Sequence, residues 1–178
     1  SMPKMLMPLA DVIPAAAWRS WHVFFADERC VPPEHADSNF KACEPFLANV
    51  PRDQVYPLPI SDGAKVDAPA ALAAAYEASL RAVCPPSADA AAAAGFPVLD
   101  LVLLGMGPDG HTASLFPRHA LATGGAPEGK AVAYLTDSPK QPPARITLTL
   151  PVLNGARAVA FSGPRFSSGA VTRWSVNG

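Results

Sequence analysis

Residues 97–117 constrain the fold more than any other stretch of the chain. They read Pro-Val-Leu-Asp-Leu-Val-Leu-Leu-Gly-Met-Gly-Pro-Asp-Gly-His-Thr-Ala-Ser-Leu-Phe-Pro. The apolar run 98–104 predicts a buried parallel strand. It breaks into Gly105, Gly107, Pro108 and Gly110 and ends at His111. Ligands of open α/β sheets bind just outside the carboxyl ends of the strands. Glycines there let backbone approach a ligand closely, and a histidine there is suited to proton transfer near neutral pH. The same pattern also serves as a tight turn with an incidental surface histidine, because one fold pattern hosts many functions.

The remaining chain alternates strand and helix signals. Residues 2–12 have helical spacing and stop at Pro14. Residues 21–26 predict a short strand, residues 27–37 a loop at its end, and Asp37 or Ser38 caps a helix running to about residue 48. A short strand at 55–58 and a turn at 61–63 follow. Residues 69–83 predict an alanine-rich helix with Pro69 in its first turn, and 84–95 a surface connection. Residues 112–116 predict a short helix start, 120–129 a Gly-rich loop, 131–135 a strand, and 137–144 a proline-rich loop. Residues 146–150 alternate like a strand, or turn helical from Thr147, and 158–161 predict a last strand. This order implies an α/β fold with a three-layer, Rossmann-like, mainly parallel sheet covered by helices on both faces.

Composition narrows the function. The 178 residues suffice for one domain with a sizeable core, 49% of them are hydrophobic, and the net charge is −1. No basic field argues for nucleic acid, and no apolar run is long enough to span a bilayer. Cys30, Cys43 and Cys84 lack metal-site spacing and read as free thiols of a reducing compartment, with Cys30 a small filler at a strand end. The 21 prolines and 12 glycines stay below the share of about 25% that marks low complexity. No metal cluster, phosphate-binding P-loop or nucleophilic triad is visible, and no cofactor is expected.

Three segments carry a family resemblance. The stretch 104–117, Leu-Gly-Met-Gly-Pro-Asp-Gly-His-Thr-Ala-Ser-Leu-Phe-Pro, resembles the signature of the 6-phosphogluconolactonases. Phe-Phe-Ala-Asp-Glu-Arg-Cys-Val-Pro (24–32), followed by His-Ala-Asp-Ser-Asn (35–39), resembles that family's strand-end block. Asp-Ser-Pro-Lys (137–140) and Pro-Pro-Ala-Arg-Ile-Thr-Leu-Thr-Leu-Pro (142–151) resemble its third block. The resemblance implies hydrolysis of 6-phospho-glucono-1,5-lactone to 6-phosphogluconate, in the pentose phosphate pathway, within a single lactonase-like domain over residues 1–161. Residues 162–178 read as a divergent tail.

The resemblance also implies roles. His111 is the expected general base, with Asp109 or a nearby carbonyl fixing its tautomer. Arg29, Lys140 and Arg145 fall at family positions that face the sugar phosphate or carboxylate, where Arg grips oxyanions bidentately and Lys acts as a point charge. Asp27 and Glu28 either hydrogen-bond sugar hydroxyls or orient Arg29, and orientation is favoured. Gly105, Gly107 and Gly110 offer backbone N–H groups, close approach, or only turn geometry. His35 lies within reach of the first block, and His22 and His119 read as structural or surface residues. The family opens with a strand and a phosphate-binding Gly-Gly-Ser loop, so Ser1 is either the last residue of that loop or unrelated to it. Both ends depart from the family pattern.

Two alternatives remain. The related amino-sugar phosphate isomerase/deaminase group shares the Gly-x-x-Asp-Gly-His loop but carries a carboxylate where this chain has Phe116, and no acid occurs from 113 to 121. The second alternative is an inactive, truncated fragment that binds a phosphosugar. The compartment expected is the cytoplasm, or a plastid if a targeting segment lies outside this sequence. Oligomeric state is not legible.

Overall fold

The computed structural model describes residues 6–60, 68–86 and 95–162. Its elements are α1 (Leu9–Val12), β1 (Asp27–Arg29), α2 (Asn39–Leu47), α3 (Pro69–Val83), β2 (Val102–Gly105), β3 (Val132–Leu135), β4 (Arg145–Leu148), α4 (Leu150–Gly155) and β5 (Val159–Ser162). Single 3-10 turns at Ala17–Ser20, Arg52–Gln54 and Ala120–Ala122 connect them.

The strands form two ladders. β2 and β5 pair in parallel, with Leu104 opposite Phe161 and Gly105 opposite Ser162. β1, β4 and β3 form an antiparallel sheet with β4 in the centre. Helices and a parallel pair are therefore present as the sequence implies, but the larger ladder among the described residues is antiparallel. The reason lies in β1. Its three residues, Asp-Glu-Arg, are polar and read as loop, yet alternate sides of the strand satisfy them separately. The Glu28 side chain points at the start of α2 and is fully buried, while Asp27 and Arg29 face the other way.

The apolar segment before β1 makes only one bridge, Val23 with Val55, through Val23 N–H to the Gln54 carbonyl (2.8 Å) and Tyr56 N–H to the Val23 carbonyl (3.0 Å). It is thus not the full strand expected over 21–26, and 55–58 is likewise reduced to that bridge. Residues 112–116 form a turn instead of a helix start. Ala113 sits at φ 47°, a left-handed conformation that ends helical propagation, and Leu115 N–H returns to the Thr112 carbonyl at 2.9 Å. The helix expected over 69–83 is found with those limits, and Ser38 is the cap of α2. Ser1, the 61–63 turn, most of the alanine run before Gly95 and the tail from 163 lie outside the described residues.

Two apolar clusters hold the fold. The larger packs Tyr76 and Leu80 of α3 against Val102, Leu104, Ile146 and Val152. The smaller gathers Trp18, Phe25, Phe40 and Phe46. Tyr76 joins them: it is buried, and its hydroxyl accepts from Phe25 N–H at 2.6 Å. Arg81 ties the middle of the chain to α3. Its guanidinium pairs with Glu77 (2.8 Å) and donates to the carbonyls of Gly95 (2.8 Å) and Gly129 (2.9 Å). No helix among the described residues is long and apolar enough to cross a membrane.

Candidate active site

β2 delivers the glycine loop at its carboxyl end. Gly107 N–H donates to the His111 carbonyl (2.8 Å), and Gly110 N–H donates to the Gly107 carbonyl (3.0 Å). Gly110 adopts φ +86°, which a side chain would strain. Gly107 is required for space: a Cβ there would collide with Cε1 and Nδ1 of His111 and lie 2.8 Å from Asp109 Oδ1. Among the described residues a Cβ at Gly105 would meet nothing within 4 Å beyond its chain neighbours, while the Gly105 carbonyl accepts from Thr112 Oγ1 at 3.0 Å.

This loop folds His111 back onto Asp109. The His111 Nδ1–Asp109 Oδ1 distance is 2.5 Å, and Lys140 Nζ lies 3.3 Å from the same oxygen and 3.2 Å from Nδ1. The hydrogen bond from His111, with Lys140 adding to it, holds the Asp109 carboxyl well below the usual carboxylate range. An ionised carboxylate only accepts, so the proton of this pair is assigned to Nδ1. Nε2 has no protein partner among the described residues and is the ring nitrogen that faces away from Asp109. The imidazole also stacks on Phe116, with ring centroids 4.7 Å apart.

A second group surrounds β1. Glu28 accepts from the backbone N–H groups of Arg29 (2.8 Å), Asn39 (2.7 Å) and Phe40 (2.8 Å) and from Ser38 Oγ (3.1 Å). It caps α2, where a negative charge suits exposed N–H groups. Burial raises its pKa, and these donors oppose the rise. Glu28 therefore does not orient the Arg29 guanidinium, contrary to expectation: the helix start claims its carboxylate. Arg29 Nη1 instead donates to the Asp37 carbonyl at 2.6 Å, and its buried Nε has no partner. His35 lies on this loop and accepts from Asp37 N–H at 3.1 Å.

Arg145, which the resemblance places facing the sugar phosphate or carboxylate, is buried in the structure. It is 2% exposed, its Nε donates to the Pro142 carbonyl (3.0 Å), and its Nη2 donates to the carbonyls of Lys140 and Gln141 (both 3.1 Å). A buried guanidinium must be satisfied, and here the loop that carries Lys140 satisfies it. Burial, then the neighbouring Arg29, pulls its pKa down. Its Cζ lies 5.9 Å from the Phe116 ring centre, so Phe116 touches both His111 and Arg145. Cys30 is buried, its thiol pushed up to about 11 by burial and by Glu28, in keeping with a filler.

Of the residues expected around one ligand, the structure brings together His111, Asp109 and Lys140, and separately Asp27, Arg29 and Arg145. Sequence reasoning missed Ser114, whose hydroxyl donates to Asp27 Oδ2 at 2.7 Å, and Asn39, whose Nδ2 reaches Asp27 Oδ1 at 3.2 Å. Phe116 was read only for the carboxylate it lacks. A polar residue inside the apolar Ala-Ser-Leu-Phe stretch was the available signal for Ser114. Among the described residues no group of three or more His, Cys, Asp or Glu is arranged to hold a metal ion.

A parallel strand ending in a glycine turn, with an Asp–His pair and a lysine beside it, places these side chains where α/β proteins as a class bind their ligands, at the carboxyl end of a strand. A family model described as "Glucosamine-6-phosphate isomerases/6-phosphogluconolactonase" matches residues 1–164, and the chain belongs to that family. It is 43% identical over 167 residues to "Probable 6-phosphogluconolactonase 3, chloroplastic" of Oryza sativa subsp. indica, covering 90% of this chain and 49% of that protein. It is 40% identical over 165 residues to "6-phosphogluconolactonase 3, chloroplastic" of Arabidopsis thaliana, covering 90% and 49%. Among solved structures, "6-phosphogluconolactonase from Trypanosoma cruzi" superposes with a TM-score of 0.74 at 29% identity, covering 92% of this chain and 64% of that one. The chain spans about half the length of the curated relatives it matches.

Proposed function

We propose that this protein hydrolyses 6-phospho-glucono-1,5-lactone to 6-phosphogluconate, with His111 as general base. One observation carries the reading: Asp109 holds Nδ1 of His111 at 2.5 Å, which directs the basic Nε2 away from its partner. In this mechanism Nε2 removes a proton from water as the water oxygen attacks the C1 carbonyl. Lys140 lies beside the imidazole and supplies positive charge near the oxyanion that develops. Collapse of the tetrahedral intermediate breaks the bond from C1 to the ring oxygen, and the imidazolium returns its proton to that oxygen. A positioned base of this kind contributes about 10²–10⁴ in rate.

Arg29 keeps donors beyond Nη1 for an anionic group, whereas Arg145 acts by holding the Lys140 loop. The names of the relatives support the substrate. The same proposal extends to a three-layer, Rossmann-like sheet within one domain ending near residue 161, which the family match over 1–164 supports. It also places the protein in a plastid, as the two plant relatives are named chloroplastic; imaging of the tagged protein in plant cells tests this, and a cytoplasmic signal would reject it.

The test is a lactonase assay with spontaneous hydrolysis subtracted. His111→Asn is expected to keep the fold and lower kcat by at least about 10². Turnover within a few-fold of the parent would remove His111 from the mechanism. Ammonia release from glucosamine 6-phosphate without lactone turnover would favour the isomerase/deaminase branch of the family.

A further inference from the structure

We infer that Ser114 is a positioning residue that sets His111 against Lys140 without touching substrate. The inference rests on the lactonase reading for its kinetic consequence, but its structural basis is independent. Ser114 lies three residues beyond His111 and is completely buried. Its hydroxyl donates to Asp27 Oδ2 at 2.7 Å across 87 positions of sequence. That is a short hydrogen bond to a carboxylate, the stronger kind. Its backbone N–H also faces Thr147 Oγ1 at 3.4 Å, so the histidine loop is tied to both β1 and β4.

Asp27 is the meeting point of the two loops that build the site. From the other side, Arg145 Nη1 lies 4.0 Å from the same Oδ2. The remaining Arg145 donors hold the carbonyls of Lys140, Gln141 and Pro142. One chain of contacts thus runs from the His111 loop through Ser114, Asp27 and Arg145 to the Lys140 loop. Its outcome is the 3.2 Å spacing between Lys140 Nζ and His111 Nδ1. The loop needs such a tether. Ala113 is held at φ 47°, which an L-residue adopts only when its surroundings fix it. Without the Ser114 hydroxyl, Asp27 loses a donor and the turn that aims the imidazole loses its anchor.

The experiment compares the parent with Ser114→Ala by steady-state lactone hydrolysis and by the NMR resonance of the His111 ring Cε1. Ser114→Ala is expected to lower kcat about ten- to a hundredfold with KM within about threefold, because misplacement by about 1 Å costs up to about 10² in rate. The His111 resonance is expected to shift, with that of His22 unchanged. Leu80→Ala, which opens the core at α3, serves as the structural control: it is expected to lower Tm and leave kcat near the parent value. The inference is overturned if Ser114→Ala keeps kcat within threefold and leaves the His111 resonance in place, or if Leu80→Ala reproduces both effects. Should Ser114→Ala not fold, Ser114→Cys keeps the volume, weakens the donor, and is read by the same criteria. If the parent itself does not turn over lactone, the proposed function fails, and the ring resonance alone decides the positioning role.

Discussion

Replacing Gly107 by alanine separates the geometry of the imidazole from the stability of the fold. The backbone at Gly107 lies outside the left-handed region, so alanine has no conformational objection there. The obstacle is the new methyl group, which would overlap Cε1 and Nδ1 of His111 and crowd Asp109 Oδ1 at 2.8 Å. Carbon atoms settle about 3.5–4.0 Å apart, so the ring must retreat by at least about 1 Å. A shift of that size costs about 10² in rate, or about 2.7 kcal/mol in the barrier. Folding should change little. The loss of unfolded-chain freedom in going from glycine to alanine is worth about 0.4–1 kcal/mol in favour of the fold, and the loop lies at the surface. The assay is initial-rate hydrolysis of the lactone beside a thermal melt. We expect kcat reduced about a hundredfold and Tm within about 3 °C of the parent. A kcat within threefold would show that the ring does not sit over Gly107, and the Asp109–His111 pairing would then be discarded.

Two further substitutions test other parts of the site. Gly105→Ala places a methyl group where, among the described residues, nothing beyond its chain neighbours lies within 4 Å, so Tm should hold while KM rises by about threefold or more if substrate approaches the strand end; unchanged KM would exclude that approach. Glu28→Gln turns a donor toward N–H groups at the start of α2 and should cost about 1–3 kcal/mol, lowering Tm by several degrees in denaturation scans. The raised pKa of Glu28 means that ionisation is disfavoured by folding. Stability therefore falls as pH rises from the ordinary value of 4.5 through the raised one, and Glu28→Gln should lack that part of the pH dependence. A variant with the parent's Tm and pH profile would remove the capping role.

The extent to which the sequence anticipates this arrangement follows from the range of each interaction. α3 was legible because Pro69 and a run of alanines act locally, and the cap of α2 was narrowed to Asp37 or Ser38, of which the structure uses Ser38. For His111 the sequence offered Asp109 or a nearby carbonyl as partner, and the structure pairs it with Asp109, two residues away between flanking glycines. β1 was not legible, since hydrophobic alternation has no signature for a polar strand whose glutamate is satisfied by a helix start eleven residues away. The 112–116 turn was misread because apolar spacing carries no sign of the left-handed Ala113. Arg145 was placed at the ligand by the resemblance, and only the fold reveals that three carbonyls occupy its Nε and Nη2. Ser114 offered only its polarity as a signal, its partner standing 87 positions away.

The Arg81 guanidinium has a topological consequence. By gripping Gly95 and Gly129 together, it makes the whole intervening excursion start and finish at one pin on α3. The glycine loop with His111 and the 123–128 turn lie inside that excursion together, so a change at Arg81 would release both ends of the segment that carries the imidazole at once.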